Sequence, residues 1–251
     1  MNDLVRKGSK TAKDGFANEN DVVSKFNNWQ SDEFAKEWLQ AMNYSLNEIE
    51  YVNAHKIKGS FKADIQVQIN VEIKLKKLLD VQNLQVKLVS NPSGFNQIDK
   101  RWVDKYVELW NIPVEITKIL KHFTGELPPY IENPKDERRM FMNELTEDKQ
   151  NLVVDFIKAN QSLIVSDILK GRGQFSAEWM LVILKATNKE VKWTLKPMNF
   201  CLNLFGNDEV VISKKGNIRI GKITMQRKGG DGGRKSAQML QFKINPCLIF
   251  D

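Results

Sequence analysis

The chain has few of the residues that build disulfide frameworks and zinc clusters. Its 251 residues contain two cysteines, Cys201 and Cys247, which is too few for either kind of scaffold and makes a reducing compartment the expectation. Catalytic histidine chemistry is also poorly supported. His55 has no serine, cysteine or second histidine in a catalytic pattern, and a lone histidine of this kind is more often a surface or packing residue.

Long apolar runs are missing as well. No stretch approaches the roughly 20 apolar residues of a membrane-spanning helix, and the first residues lack the apolar core of a secretion signal. We therefore expect a cytoplasmic protein without a membrane partner.

What the chain does have is an excess of positive charge. Its 38 lysines and arginines exceed its 31 aspartates and glutamates, giving a net charge of +7. This balance favours a polyanionic partner, although many equally basic proteins do not bind nucleic acid. The length is sufficient for one large domain or two small domains with a real core.

The clearest pattern in the sequence lies between Phe61 and Ser90. Apolar residues alternate with polar ones on both sides of a lysine-rich connection: Ile65, Val67, Ile69, Leu84, Val86 and Leu88. A period of two is typical of half-buried strands, so this stretch predicts a β-hairpin or a similar pair of strands. The second strand then points Gln85 and Lys87 to one face. Asp64, near the start of the first strand, can lie beside them if the strands are neighbours.

An aspartate followed on the next strand by Gln-Val-Lys resembles the layout of the PD-(D/E)XK nuclease site, with Gln85 in the place of the second carboxylate. Hydrolysis of a phosphodiester needs a divalent metal that lowers the pKa of an attacking water. Asp64 is the expected principal ligand, with the Gln85 amide and the Val86 carbonyl as further oxygen ligands for magnesium. Lys87 would orient the water and balance developing negative charge. The spacing alone is common by chance.

Several further elements can be predicted from periodicity and turn residues. The predicted helices cover Phe16–Phe26, Ser31–Leu46, Gln97–Trp110 and Thr146–Asn160, and the predicted strands cover Tyr51–Ile57, Ile218–Met225 and Leu240–Ile244. Glu19 lies on the first helix, where nuclease superfamily members carry a glutamate that approaches the metal. A solvated glutamate is the alternative. Glu126 could assist a metal, but a structural role fits it better.

Candidate DNA contacts fall in three stretches. Phe95, Asn96, Gln97 and Lys100 follow the predicted active site, and such amides can pair with base edges while an aromatic ring wedges into the stack. The alternative is that the Phe95 side chain packs beneath the start of a helix as a hydrophobic staple and that Gln97 is solvated. The other candidates lie in or beside glycine-rich loops that permit a close backbone approach: Arg172, Gln226, Arg227, Lys228 and Arg234.

Taken together, eight segments resemble the HinP-type Type II restriction endonucleases, which cut the palindrome GCGC. They are GSKTAKDGF at Gly8–Phe16, LQVKLVSN at Leu84–Asn91, GFNQIDKRW at Gly94–Trp102, HFTGELPPY at His122–Tyr130, DERRMFM at Asp136–Met142, ILKGRGQFSAEW at Ile168–Trp179, and QRKGGDGGR with MLQFKINP near the C-terminus. The segments occur in order over nearly the whole chain, so the resemblance is much more specific than any one motif.

This resemblance implies a PD-(D/E)XK fold of the α/β class, with a five-stranded mixed sheet flanked by helices in one domain spanning residues 1–251. The catalytic core would cover about residues 8–110 and the C-terminal recognition elements about residues 165–251. It also implies Mg²⁺-dependent cleavage of double-stranded DNA that leaves 5'-phosphate ends, with Mn²⁺ as a substitute. Asp64, Gln85 and Lys87 would form the active site. The family has a serine before the aspartate where this chain has Ala63, so any supporting hydroxyl is in doubt.

The resemblance further implies a bacterial protein with a DNA methyltransferase in the same system. A symmetric site needs two strand cuts, which a homodimer or successive visits of a monomer would supply. Two alternatives stay open. The chain could be a repair or nicking nuclease with the same core, or a DNA-binding protein that the missing second carboxylate has made inert.

Overall fold

The computed structural model describes residues 17–57, 68–75, 78–186, 190–230 and 234–250, with the backbone alone at 68–70. Asp64 and Ala63 lie outside the described residues, as does the predicted strand before Gln68. Contacts divide the chain into two compact units. We call the described residues within 17–94, 170–201 and 245–250 the mixed-sheet unit, and those within 95–169 and 202–244 the antiparallel-sheet unit.

The secondary structure alternates helices and strands along the chain. The helices are α1 (residues 17–27), α2 (Glu33–Ala41), α3 (Val103–Trp110), α4 (Val114–Thr124), α5 (Glu147–Ala159), α6 (Gln161–Leu169) and α7 (Met198–Gly206). The strands are β1 (Ile49–Lys56), β2 (Gln68–Leu75), β3 (Leu79–Val89), β4 (Asn96–Arg101), β5 (Trp179–Leu184), β6 (Lys192–Pro197), β7 (Val210–Ile212), β8 (Ile218–Ile220), β9 (Ile223–Arg227) and β10 (Leu240–Ile244). Within the described ranges, no helix combines the length and apolarity needed to cross a membrane.

The mixed-sheet unit contains a five-stranded sheet in the order β1-β2-β3-β5-β6. Neighbouring strands are antiparallel except β3 and β5, which run parallel. The mixed sheet and the β2–β3 hairpin confirm the prediction. The first strand of the hairpin extends further than predicted, to Leu75, because Val71 and Ile73 continue the buried alternation.

The core of the mixed-sheet unit lies between this sheet and helices α1 and α2. Phe26 and Trp38 pack with their ring centroids 5.3 Å apart, and Trp38 meets the Trp193 ring edge-on at 6.1 Å. The Asp32 side chain accepts a hydrogen bond from the Ala35 backbone N–H, so it caps α2 as the Ser-Asp-Glu sequence predicts. The predicted end at Leu46 is wrong, because Asn43 adopts a left-handed backbone with φ of 67°.

The antiparallel-sheet unit contains a second five-stranded sheet, in the order β4-β10-β9-β8-β7, which the sequence did not predict. The predicted helix at Gln97–Trp110 is wrong over its first part, because β4 pairs with β10 and α3 begins only at Val103. Buried Asp99 accepts hydrogen bonds from Tyr106 and Arg101, so the polar group within β4 is satisfied.

Two further elements of this unit test the sequence predictions. The predicted helix at Thr146–Asn160 is confirmed by α5, with Thr146 at its N-cap position. The predicted single strand at Ile218–Met225 is wrong, because the chain turns between β8 and β9. Gly221 makes this turn with φ of 57°, and a Cβ there would lie 2.5 Å from the Phe205 carbonyl oxygen.

Gly125 ends α4 in the left-handed region, with φ of 84°, and a Cβ there would lie 2.3 Å from the Arg138 carbonyl oxygen. Gly229 has a similar φ of 64°, but a Cβ there would meet nothing within 4 Å. We expect Gly229→Ala to lower the free energy of unfolding by about 1 kcal/mol through backbone strain. Gly125→Ala should lower it by roughly 1–3 kcal/mol more, because backbone atoms must also move. Urea denaturation measures both, and equal losses would contradict the contact at Gly125.

Candidate active site

Strand β3 brings the first two predicted site residues together. Gln85 and Lys87 are two residues apart on one strand and therefore share a face. Their neighbours in register on β5 are Met180 and Val182, both fully buried. Gln85 is 1% exposed and Lys87 7% exposed. The alternating sequence predicted a strand with one solvated face, but β3 is buried on both faces from Asn83 to Lys87.

The side-chain amide of Gln85 is an unusual buried group. In the part of the chain that the structure describes, neither its Nε2 nor its Oε1 has a hydrogen-bond partner. An unsatisfied buried amide costs free energy, so such a group in a native fold needs an explanation. A cation bound at Oε1 would satisfy the oxygen, and amide oxygens are ligands that hard divalent cations accept.

Glu19 on α1 lies within electrostatic reach of Lys87. Burial raises the pKa of the Glu19 carboxyl above its ordinary value of 4.5, while the charges of Lys56 and Lys87 oppose this rise. The carboxylate oxygen Oε2 lies 3.4 Å from the Lys56 ammonium nitrogen. The interpretation of Glu19 as a solvated glutamate is therefore wrong, since its side chain is 14% exposed and ion-paired. Its neighbour Asn18 is 4% exposed, with an unpartnered Oδ1.

Lys56, the last residue of β1, is a further residue of this cluster that was not predicted from the sequence. Its signal lies in the alternation of that strand, where Val52 and Ala54 are buried and Lys56 is the next residue on the same side. A lysine that continues the buried side of a strand requires a partner, because an isolated ammonium is costly to bury. Here Glu19 is one partner, so a search for inward-pointing charges would have found the pair.

Among the described residues, no group of three or more histidines, cysteines, aspartates or glutamates is placed to hold a metal ion. This fits a site in which one oxygen ligand is an amide and Asp64 lies outside the described ranges. The described donors are the oxygens of Gln85 and Glu19, which suit magnesium or manganese better than a softer metal.

The predicted DNA contacts at residues 95–100 and 226–228 fall in the antiparallel-sheet unit. Asn96, Gln97 and Lys100 lie on β4, not at a loop-to-helix junction as predicted. Strand β10 lies between β4 and β9, and its Gln241 is in register with Lys100 on one side and Gln226 on the other. Two segments more than a hundred residues apart in sequence therefore contribute to one row across the sheet.

The remaining predicted contacts have varied surroundings. Phe95 is 56% exposed, so it does not act as a staple beneath a helix start. Arg227 donates from Nε to the Ala237 carbonyl oxygen at 3.0 Å, while Lys228 begins a loop in which Gly229 adopts a left-handed backbone. Arg234 is exposed before a short 3-10 helix.

The match to known families decides the identity of the chain. The family described as R.HinP1I restriction endonuclease matches residues 42–250. The chain belongs to this family. It is therefore a Type II restriction endonuclease, a site-specific deoxyribonuclease. No curated protein matches it.

A solved structure supports the same fold for this endonuclease. The chain is similar to the crystal structure of restriction endonuclease MspI in complex with its cognate DNA, with a TM-score of 0.61 and 11% sequence identity. The match covers 90% of this chain and 87% of that chain. At such low identity the likeness shows a restriction-endonuclease fold and nothing about individual residues.

The structure locates three further residues that the sequence suggested for function: Glu126, His55 and Arg172. Glu126 accepts a hydrogen bond from the Val103 backbone N–H at 3.3 Å, so it caps the first turn of α3, the structural role that suited it better. His55 is exposed on β1. Arg172 is exposed in the mixed-sheet unit between Gly171 and Gly173, which both have positive φ.

The buried amide of Gln85 leads to a prediction about stability and cutting together. Gln85→Met keeps the shape of the side chain and removes two unsatisfied polar atoms, so we expect the free energy of unfolding to rise by about 1–3 kcal/mol. DNA cleavage should be lost. Urea denaturation and a digestion assay measure the two effects. A loss of stability would show that the amide has a structural partner.

The pKa of Glu19 provides a second test. We expect its carboxyl to titrate above 4.5, and Lys56→Met to raise that pKa further, because an opposing positive charge is lost. Since the folded pKa lies above the unfolded value, the contribution of Glu19 to stability falls as the pH rises from about 4.5 through the folded pKa. Carboxyl ¹³C NMR measures the titration, with Lys36→Met as the control. A Glu19 pKa at or below 4.5 would contradict this account.

Proposed function

We propose that the endonuclease hydrolyses phosphodiester bonds of double-stranded DNA at GCGC, with Mg²⁺ as cofactor and 5'-phosphate ends as products. The observation that carries this proposal is the buried pair on β3. Gln85 and Lys87 share one face, the Gln85 amide lacks a partner, and the Glu19 carboxylate interacts with the Lys87 charge. The choice of GCGC comes from the family resemblance.

Oxygen atoms would hold the cation. Asp64, the Gln85 amide oxygen and the Val86 backbone carbonyl are the proposed ligands, with Glu19 approaching from the side. A bound Mg²⁺ lowers the pKa of a coordinated water and offsets the charge of the phosphate. Because Gln85 contributes no negative charge, we expect one metal per site and weaker metal binding than at a site with two carboxylates. Mn²⁺ should substitute.

Lys87 would act on the reacting phosphate directly. Its ammonium group can orient the attacking water and stabilise the negative charge that develops on the phosphate oxygens. Burial strengthens this effect, because a charge in a site with little water is poorly screened. Lys87 lies two residues from Gln85 on β3, so its ammonium group and a proposed metal ligand share one rigid strand.

Base recognition is proposed for the polar residues of the antiparallel sheet and the loop that follows β9. Amides and basic groups can pair with adenine and guanine edges in the major groove, and Phe95 can insert between base steps. The proposed contacts in this unit are Phe95, Asn96, Gln97, Lys100, Gln226, Arg227, Lys228 and Arg234. Arg172 of the mixed-sheet unit is a further proposed DNA contact. The proposal includes a methyltransferase that protects the same sequence, and a second copy of the chain or a second visit that cuts the opposite strand.

One alternative keeps the same binding surface without catalysis. The amide of Gln85 stands where related nucleases carry a carboxylate, so an inert DNA-binding protein is the competing interpretation. Metal-dependent cutting separates the two directly.

We expect the purified protein to cut a linear duplex containing one GCGC site into two fragments when Mg²⁺ is present, and to leave a matched CGCG duplex intact. EDTA should abolish the reaction. Ligation without prior phosphorylation tests for 5'-phosphate ends. Lys87→Ala should reduce the cutting rate by about a hundredfold to a thousandfold, because a group that stabilises developing charge is lost. Affinity for the GCGC duplex should change little.

Binding without discrete fragments under Mg²⁺ or Mn²⁺ would support the inert alternative. Nicks at sites other than GCGC would show a different specificity. Unchanged cutting by Lys87→Ala would remove this residue from the mechanism.

A further inference from the structure

The central strand β10 carries a lysine that the predicted DNA contacts do not include. Lys243 is in register with Gln97 on β4 and with Thr224 on β9. It is two residues from Gln241 and therefore on the same face of the sheet. Two adjacent rows result, one formed by Gln97, Lys243 and Thr224 and the other by Lys100, Gln241 and Gln226.

The ammonium group of Lys243 lies in an environment that does not favour a charge. The residue is half-buried, and desolvation lowers the pKa of its side chain. No hydrogen bond or ion pair to its side chain occurs in the described ranges. Other lysines of the same unit are paired, as Lys121 is with Asp104 and Lys105 with Glu108. The side-chain nitrogen of Lys243 is not among the fully buried unpartnered atoms of the described residues, so its ammonium group is accessible to an acceptor on a bound ligand.

The neighbours of Lys243 restrict what that acceptor can be. Its partners in register contribute an amide and a hydroxyl, and the aspartate of β4, Asp99, is in register with Phe242, on the opposite face. Directly paired side chains have Cβ atoms about 4.5–5.5 Å apart, so Lys243 and Gln97 can act on the same or adjacent base pairs. A lysine can donate to the O6 and N7 acceptors of guanine, while an amide pairs with adenine or guanine edges.

We propose that Lys243 is a specificity-determining residue that donates hydrogen bonds to guanine O6 and N7 in the major groove. This inference rests on the proposed function, because the guanines are those of the target site. The target supplies the acceptor that the free protein lacks. A position on the middle strand, flanked on both sides by polar side chains, fits base recognition better than contact with a phosphate at the rim of an interface.

The test compares binding in a Lys87→Ala background with EDTA present, so that the duplex stays intact. Adding Lys243→Met should weaken binding to a GCGC duplex about tenfold or more, as expected for loss of a base contact. Binding to a matched CGCG duplex should change less than about twofold, because sequence-independent phosphate contacts remain. Fluorescence anisotropy at fixed salt measures both. The melting temperature should not fall, since the removed charge has no partner in the fold.

A chemical change in the DNA provides a sharper comparison. Replacing guanines of the site by 7-deazaguanine removes the N7 acceptor one position at a time. When 7-deazaguanine replaces the guanine that Lys243 contacts, the protein with Lys243 should lose affinity for the duplex. The Lys243→Met protein should not. Lys118→Met is the matched control, because it removes an exposed lysine of α4 in the same unit. It should retain both the preference for GCGC and the sensitivity to 7-deazaguanine.

Each remaining outcome identifies which idea fails. If the protein with Lys243 shows no preference for GCGC, the proposed function fails. If that preference exists and Lys243→Met retains it, only the role of Lys243 is overturned. Equal weakening on both duplexes would also overturn base recognition, since a phosphate contact acts uniformly across sequences.

Discussion

The burial of both faces of β3 around Gln85 and Lys87 is the constraint on which the proposed active site depends. Leu84 and Val86 face a core closed by α1 and α2, and β5 pairs with the strand in parallel. Neither residue can move without opening that core. Gln85 and Lys87 alternate with these residues along β3. They are therefore held in place as firmly as the apolar side chains. Such rigidity suits catalysis, because groups held in position need no reorganisation when charge develops.

Electrostatics within the mixed-sheet unit fit the same picture. Glu19 is buried, yet Lys56 and Lys87 oppose the rise in its pKa, so its carboxylate is partly balanced before any cation binds. The described groups Glu19, Lys56 and Lys87 carry one more positive than negative charge. A glutamine at position 85 avoids a further negative charge in a site with little water. In the proposed site, a neutral amide at this position therefore gives less repulsion with Glu19 than a second carboxylate would.

Sequence patterns predicted the mixed sheet better than the antiparallel one, for physical reasons. The apolar–polar alternation around Gln85 repeats the strand period several times, and the helix after Thr146 repeats the helical period several times. Both periods can therefore be recognised in the sequence. The strands of the antiparallel sheet have three to six residues, which is too short for a period to be distinguished from chance. Ile98 of β4 also falls at helical spacing with Trp102 and Tyr106 further along the chain, and only the pairing with distant β10 decides the structure. Lys56 was missed because its partner lies on another element.

The ladder that joins β4, β10 and β9 has a further consequence for the geometry of recognition. Adjacent strands of a sheet are about 4.8 Å apart, whereas successive base pairs rise by about 3.4 Å. For a duplex whose axis runs across these strands, the two outer strands are separated by roughly three base steps, the length of a tetranucleotide. The hydrogen bonds between the strands then fix the spacing of the side chains that face the duplex. In the proposed mode of recognition, exchanging side chains on this ladder changes which bases are read, while the spacing between the contacts stays fixed.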